Sequence, residues 1–132
     1  MHADPQAPSV SKKAFWTGWI VSAFPLLMLL ISGIMKLAGP VPLVEEFARL
    51  GYDKSLATGI GIVEIACAMI YAIPRTAVLG AILVTGYLGG AAATHVRVGD
   101  PFFGPIILGV LVWSGLLLRD QRVRTLIPLR RL

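Results

Sequence analysis

Four stretches of the chain are free, or nearly free, of charge, and the polar residues gather in the intervals between them. Phe15 to Met35 carries no charged side chain, and a helix needs about 20 apolar residues to cross a hydrocarbon core of about 30 Å. Leu56 to Ile73 is interrupted only by Glu64, and Thr76 to Thr94 and Phe102 to Leu118 are uncharged. The pattern predicts an all-α fold: a four-transmembrane-helix bundle occupying residues 14–118. Pro74 and Arg75 form a very short turn between the second and third helices. Pro25 lies inside the first and should kink it, with neighbouring helices or the hydroxyl of Ser22 expected to satisfy the carbonyl that a proline frees. A secretory signal peptide is the competing reading of that first run. Its length, and the lack of a small-x-small site after it, speak against this.

The one long connection, between the first two helices, has a pattern of its own. From Val41 to Gly51 the apolar residues Leu43, Phe47 and Leu50 fall on one helical face, and Glu45, Glu46 and Arg49 on the other. Pro42 suits a first helical turn and Gly51 a helix stop. A short amphipathic helix at the membrane interface, closing over the bundle like a lid, is the expectation; a solvated linker is the alternative. Residues 1–13 read as a disordered arm and residues 119–132 as a basic cytoplasmic tail.

Composition narrows the classes. With 56% hydrophobic and only 14% charged residues in 132, the chain has more apolar surface than so short a domain can bury, so lipid has to serve as part of its solvent. The net charge of +5 sits at helix ends and in the tail, not along an aromatic-lined face, which favours anionic lipid over nucleic acid as its partner. Lys12, Lys13, Arg75, Arg119, Arg122, Arg124, Arg130 and Arg131 fall on one side of the four spans; Lys36, Arg49, Lys54 and Arg97 fall on the other. The positive-inside bias then predicts a multi-pass protein of the cell (inner) membrane with both termini cytoplasmic and the amphipathic helix outside.

Candidate chemistry lies in one layer on that outer side, in Lys36, Glu64, His95, Arg97 and Asp100. Glu64 is about 12 Å below the boundary at 1.5 Å per residue. Because Cβ atoms tilt toward a helix N-terminus, Lys36 on an outgoing helix and Glu64 on an incoming one lean toward each other. Pairing with Lys36 or protonation makes an intramembrane carboxyl tolerable, and the pair is open to a structural as well as a functional reading, as is a bond from Glu64 to Ser32 or Thr58. Gly86 and Gly90, spaced Gly-x-x-x-Gly, are expected to pack against a neighbouring helix. Cys67 reads as a small packing residue, and Trp16, Trp19, Tyr52, Tyr71 and Trp113 as interface anchors. One cysteine excludes dithiol chemistry within the chain, and two histidines give no metal-ligand pattern.

Ser32-Gly33 and Lys36-Leu37 ending the first helix, Leu50-Gly51-Tyr52 after the amphipathic segment, Gly61 and Glu64 in the second helix, and Gly89-Gly90 leading to His95, Arg97, Gly99-Asp100 and Pro105 together resemble the DoxX-like membrane proteins over about Phe15 to Leu117. The resemblance implies a four-helix membrane bundle in a redox setting, since the family takes its name from a small subunit of a thiosulfate:quinone oxidoreductase. It admits a quinone as cofactor, and an oxidoreductase partner subunit or a second copy of the chain as protein partner. The sequence supplies no redox centre of its own, so electrons would travel on a bound quinone or a partner. Three readings follow: an accessory membrane subunit of a quinone-linked oxidoreductase system with an outer-half ligand cavity, a small dimeric transporter or lipid-binding protein, and a non-catalytic scaffold.

Overall fold

A computed structural model describes residues 10–126. Among them the chain is helical throughout, with no strand: α1 (Lys12–Ala38), α2 (Val41–Arg49), α3 (Lys54–Ala72), a single 3₁₀ turn (Pro74–Thr76), α4 (Ala77–Arg97), α5 (Phe103–Arg119) and α6 (Gln121–Leu126). The apolar stretches become α1, α3, α4 and α5; α1 extends three residues past its stretch at each end and α4 three past its C-terminal end, while α3 and α5 keep within two residues of theirs. Three helical segments, α1, α3 and the 3₁₀ turn with α4, are long and apolar enough to cross a membrane; α5 is apolar but has 17 residues.

Local chemistry sets the ends. Ser11 caps α1 by accepting from the Ala14 amide at 3.1 Å, so Lys12 and Lys13, placed by their composition in the arm, are the first helical residues. Residues 1–9 of that arm, and 127–132 of the tail, lie outside the described residues. Gly39, at φ 62°, closes α1 in the left-handed conformation that favours glycine and returns its amide to the Met35 carbonyl. Gly51 does the same work after α2 at φ 84°.

α1 and α4 each pack on both α3 and α5, so the four longer helices close a ring, with α2 lying against α3 and α6 against α5. Two ends of this bundle can be told apart by their connections. The turn end holds the 3₁₀ turn and α6; the lid end holds α2 and the link from α4 to α5. The core between them is built from small and branched residues, including Leu29, Cys67, Ala68, Ala81, Val84, Val112 and Leu116, around a fully buried Tyr71. The outer surface is apolar too: Ile20, Phe24, Leu27, Ile31, Ile82, Ile107 and Val110 are each more than half exposed. Water would penalise that surface along every long helix, whereas lipid does not.

Close approach within the ring depends on glycine. A Cβ at Gly18 would lie 2.8 Å from the Gly115 carbonyl, and one at Gly80 would overlap the backbone of Tyr71. Gly86 and Gly90, expected to pack in this way, do not: nothing lies within 4 Å of where their Cβ atoms would be. Their Gly-x-x-x-Gly spacing is real, but among the described residues the two glycines border an open space instead of a helix.

Candidate functional site

A second glycine contact places the central pair. Gly33 of α1 and Gly61 of α3 face each other, and a Cβ at Gly61 would come 2.9 Å from both the Gly33 carbonyl oxygen and Lys36 Cβ. The closeness of α1 and α3 at this level brings the last turn of α1 beside the middle of α3. Lys36 Nζ donates to Glu64 Oε2 at 2.8 Å and to Ser32 Oγ at 2.6 Å. The Glu64 side chain is 3% exposed and that of Lys36 13%. The lean expected from Cβ direction is thus present as a buried ion pair, with Ser32 bonded to the lysine and not to the carboxylate. A buried pair of this kind adds little net stability, yet loss of either partner leaves an uncompensated charge at a cost of about 3–5 kcal/mol.

Beside the pair is a cavity of about 490 Å³, within the range usual for small-molecule sites. Its wall is mainly apolar, from Leu43, Phe47 and Leu50 of α2, Ile60 of α3, and Gly86, Gly90 and Ala91 of α4. Lys36, Tyr52, Tyr87, Thr94 and His95 supply polar atoms. The face of α2 that the heptad-like spacing singled out is the face that roofs this space. Tyr52 shares a hydrogen bond of 3.0 Å with Thr94, so it belongs to the cavity wall and is not a free interface anchor. His95 lines the same wall; its Nδ1 is buried, has no hydrogen-bond partner among the described residues, and lies 3.6 Å from Asp100 Oδ2.

Arg97 and Asp100, expected in the same layer, stand outside the cavity and hold its roof. The Arg97 guanidinium donates to the Leu50 carbonyl and lies 5.5 Å from the centre of the Tyr52 ring. Asp100 accepts from both terminal nitrogens of Arg49, which also reaches Glu46 at 2.5 Å. The hydrogen bonds from Arg49 hold the carboxyls of Asp100 and Glu46 below the usual carboxylate range, and the two carboxylates in turn raise the guanidinium.

Two features escaped sequence reasoning. Tyr87 is one turn from Gly90 and Ala91 and two turns from Thr94, and that helical spacing along α4 was the available signal. At the turn end, Arg119 is not a tail residue: it ends α5, 8% exposed, with its guanidinium 4.1 Å from the centre of the Trp19 ring and 5.1 Å from that of Tyr71. Ser22 Oγ accepts from Arg119 Nε at 3.2 Å and lies 2.9 Å from the Tyr71 hydroxyl, which donates to the Val112 carbonyl at 2.8 Å. The Ser22 oxygen is therefore engaged across the bundle, away from the Pro25 site, and Tyr71 is a core residue and no interface anchor. Nothing in the local pattern around Arg119 distinguishes it from Arg122 or Arg124; only the packing of three helices does.

Among the described residues no group of three or more His, Cys, Asp or Glu side chains is placed to hold a metal ion. The family model described as "DoxX-like family" matches residues 20–115, which is more than half of the chain and includes Lys36, Glu64, His95 and Asp100. No curated protein and no solved structure matches.

Proposed function

The chain belongs to the DoxX-like family, and from that premise we propose that it is a four-span membrane protein whose lid-end cavity binds an amphipathic ligand, a quinone being the leading candidate, in the service of a quinone-linked oxidoreductase system. The observation that carries this reading is a mainly apolar cavity of about 490 Å³ with Lys36 in its wall, the lysine being held from behind by an ion pair with the buried Glu64. A quinone ring is flat and apolar with carbonyl acceptors at its edges. Lys36 has the donor for one carbonyl; His95, with a buried and unbonded ring nitrogen, and the carboxyl of Glu64 are the groups able to hold protons beside it. A bound quinone would supply the electron chemistry, and the chain would position it, keep water from it and exchange its protons.

In this reading α5 makes the fourth crossing, because its ends meet those of α1 and α4 in one ring. The excess of Lys and Arg at the turn end puts both termini in the cytoplasm of a cell whose inner membrane holds the protein, with the basic tail against anionic lipid. A homodimer or a partner subunit would complete the redox system.

Mass spectrometry of the organic extract tests the proposal. Gently purified wild type should release a near-stoichiometric quinone or other amphiphile, and Lys36→Ala should lose it while its helical circular dichroism persists. Absence of any ligand from wild-type protein prepared this way from a quinone-replete membrane would contradict it.

A further inference from the structure

The seams of the helix ring are not alike. α1 and α5 meet at Gly18 and Gly115 near the turn end, and α1 and α3 meet at Gly33 and Gly61 toward the lid end. α3 and α4 approach most closely at the turn end, where Gly80 leaves no room for a Cβ against Tyr71. Toward the lid Gly59, Gly86 and Gly90 have nothing within 4 Å and border open space. The cavity lies here between α2, α3 and α4, and no described residue of α5 lines it. Another hollow, of about 340 Å³ and lined by Ser55, Leu56, Gly59 and Val63, lies beside the first along the lid-end half of α3 and shares Ile60 and Tyr87 with it. Above, α2 is tied down through Arg49 to Asp100 and through the Leu50 carbonyl to Arg97. The aqueous side is roofed and the lipid side is open.

We propose that the cavity is entered sideways from the bilayer through the α3–α4 seam, and that its occupant has an uncharged head bearing a hydrogen-bond acceptor and a single flexible tail lying in the seam across Ile60 and Tyr87. This rests on the reading of the cavity as a ligand site and adds the head chemistry and the route. The head follows from satisfied charges. Lys36 already faces Glu64, and Glu46, the other ionised residue of the wall, already faces Arg49. A carboxylate, phosphate or ammonium would find no Lys, Arg, Asp or Glu in the wall that is not already paired, in surroundings of low polarity where that is costly. An ammonium has three donors, and two on Lys36 are taken by Ser32 and Glu64 among the described residues. The third is matched by a neutral oxygen such as a carbonyl. The tail follows from the second hollow, which presents no polar surface and opens on the side where lipid chains lie.

Equilibrium binding to the full chain in nanodiscs tests both parts. The probes are a fully substituted benzoquinone with a decyl chain, the same ring with a methyl in its place, and three competitors of equal chain length: decanoate, decylammonium and monodecanoylglycerol. Gly59 borders only the second hollow and has open space beside it, so Gly59→Leu fills the tail path without touching the head site. It should weaken the decyl probe at least fivefold and the methyl probe less than twofold, whereas Gly104→Leu, equally open and on α5, should change neither. Decanoate and decylammonium at tenfold excess should not displace the decyl probe. Displacement by monodecanoylglycerol supports the same head chemistry with a neutral lipid as its source. An equal effect of Gly59→Leu on both rings, or none on either, overturns the seam route while the cavity reading stands; displacement by either charged competitor overturns the head assignment. If no uncharged probe binds the wild type, the cavity reading fails and the inference falls with it.

Discussion

The turn end and the lid end of the bundle are built from the same materials, glycine contacts and a buried cation, and use them to opposite effect. At the turn end Gly18, Gly80 and Gly115 bring helices into contact on opposite seams, and Arg119 packs against Trp19, Tyr71 and Ser22. The cation there faces aromatic rings and a hydroxyl, and it ties α5 to α1 and α3. At the lid end only Gly33 and Gly61 remain as a close contact; the cation faces a carboxylate, and a cavity opens beside it. Close packing at one end lets the helices diverge at the other without the bundle coming apart. Buried charge without vacant space is structural, and buried charge bordering vacant space is where chemistry has room.

The comparison is broken most severely by filling the closed end. Gly80→Leu puts side-chain atoms where the Tyr71 backbone runs and should cost about 3 kcal/mol or more, read as lost folded yield and a lower thermal midpoint in detergent. Gly86→Leu at the open end should leave the midpoint within a degree or two. A smaller but sharper effect comes from the ion pair. Lys36→Ala or Glu64→Ala alone should destabilise by about 3–5 kcal/mol, while the double replacement Lys36→Met with Glu64→Leu should recover most of that loss, because the uncompensated charge is gone. If the double variant also keeps its ligand, the pair has no part in binding.

The smallest effect concerns the roof. Arg49 holds Asp100 and Glu46 in the ionised form, with their carboxyls below the ordinary range, so the contact is complete above the unfolded pKa of about 4 and is lost as pH falls through the lowered values. The labelling rate of a thiol introduced by Phe47→Cys, under the roof, taken relative to that of a free thiol at the same pH, should therefore be low and constant from pH 8 to 5 and should rise only below about pH 4. Asp100→Asn should raise the rate at neutral pH by several-fold. A pH-independent rate, equal in both proteins, would show that α2 is held by its apolar face alone.

Much of this was legible in the chain because it depends on local pattern. Charge-free length gave the long helices, the spacing of Leu43, Phe47 and Leu50 gave the roofing face, and opposite helix directions made Lys36 and Glu64 lean together. What depends on how far apart two helices stand was not legible. Gly86 and Gly18 look equally suited to close packing, yet one borders a void and the other a helix. Arg97 and Asp100 were grouped with the cavity by height, but they line its outside, and height does not say which side of α2 a residue reaches. Arg119 and Tyr71 were misplaced for the same reason: burial at a helix end is decided by neighbours distant in sequence.

Photolabelling with an azido-substituted quinone, followed by peptide mapping of the full chain in native-like lipid, separates the two ends most directly. Labels concentrated within residues 43–52 and 86–95, competed by excess unlabelled quinone and abolished by Lys36→Ala, are the predicted result. Labels spread along the lipid-facing surfaces of α1 and α5, or gathered at the turn end and indifferent to Lys36, would contradict the assignment of the cavity as the ligand site.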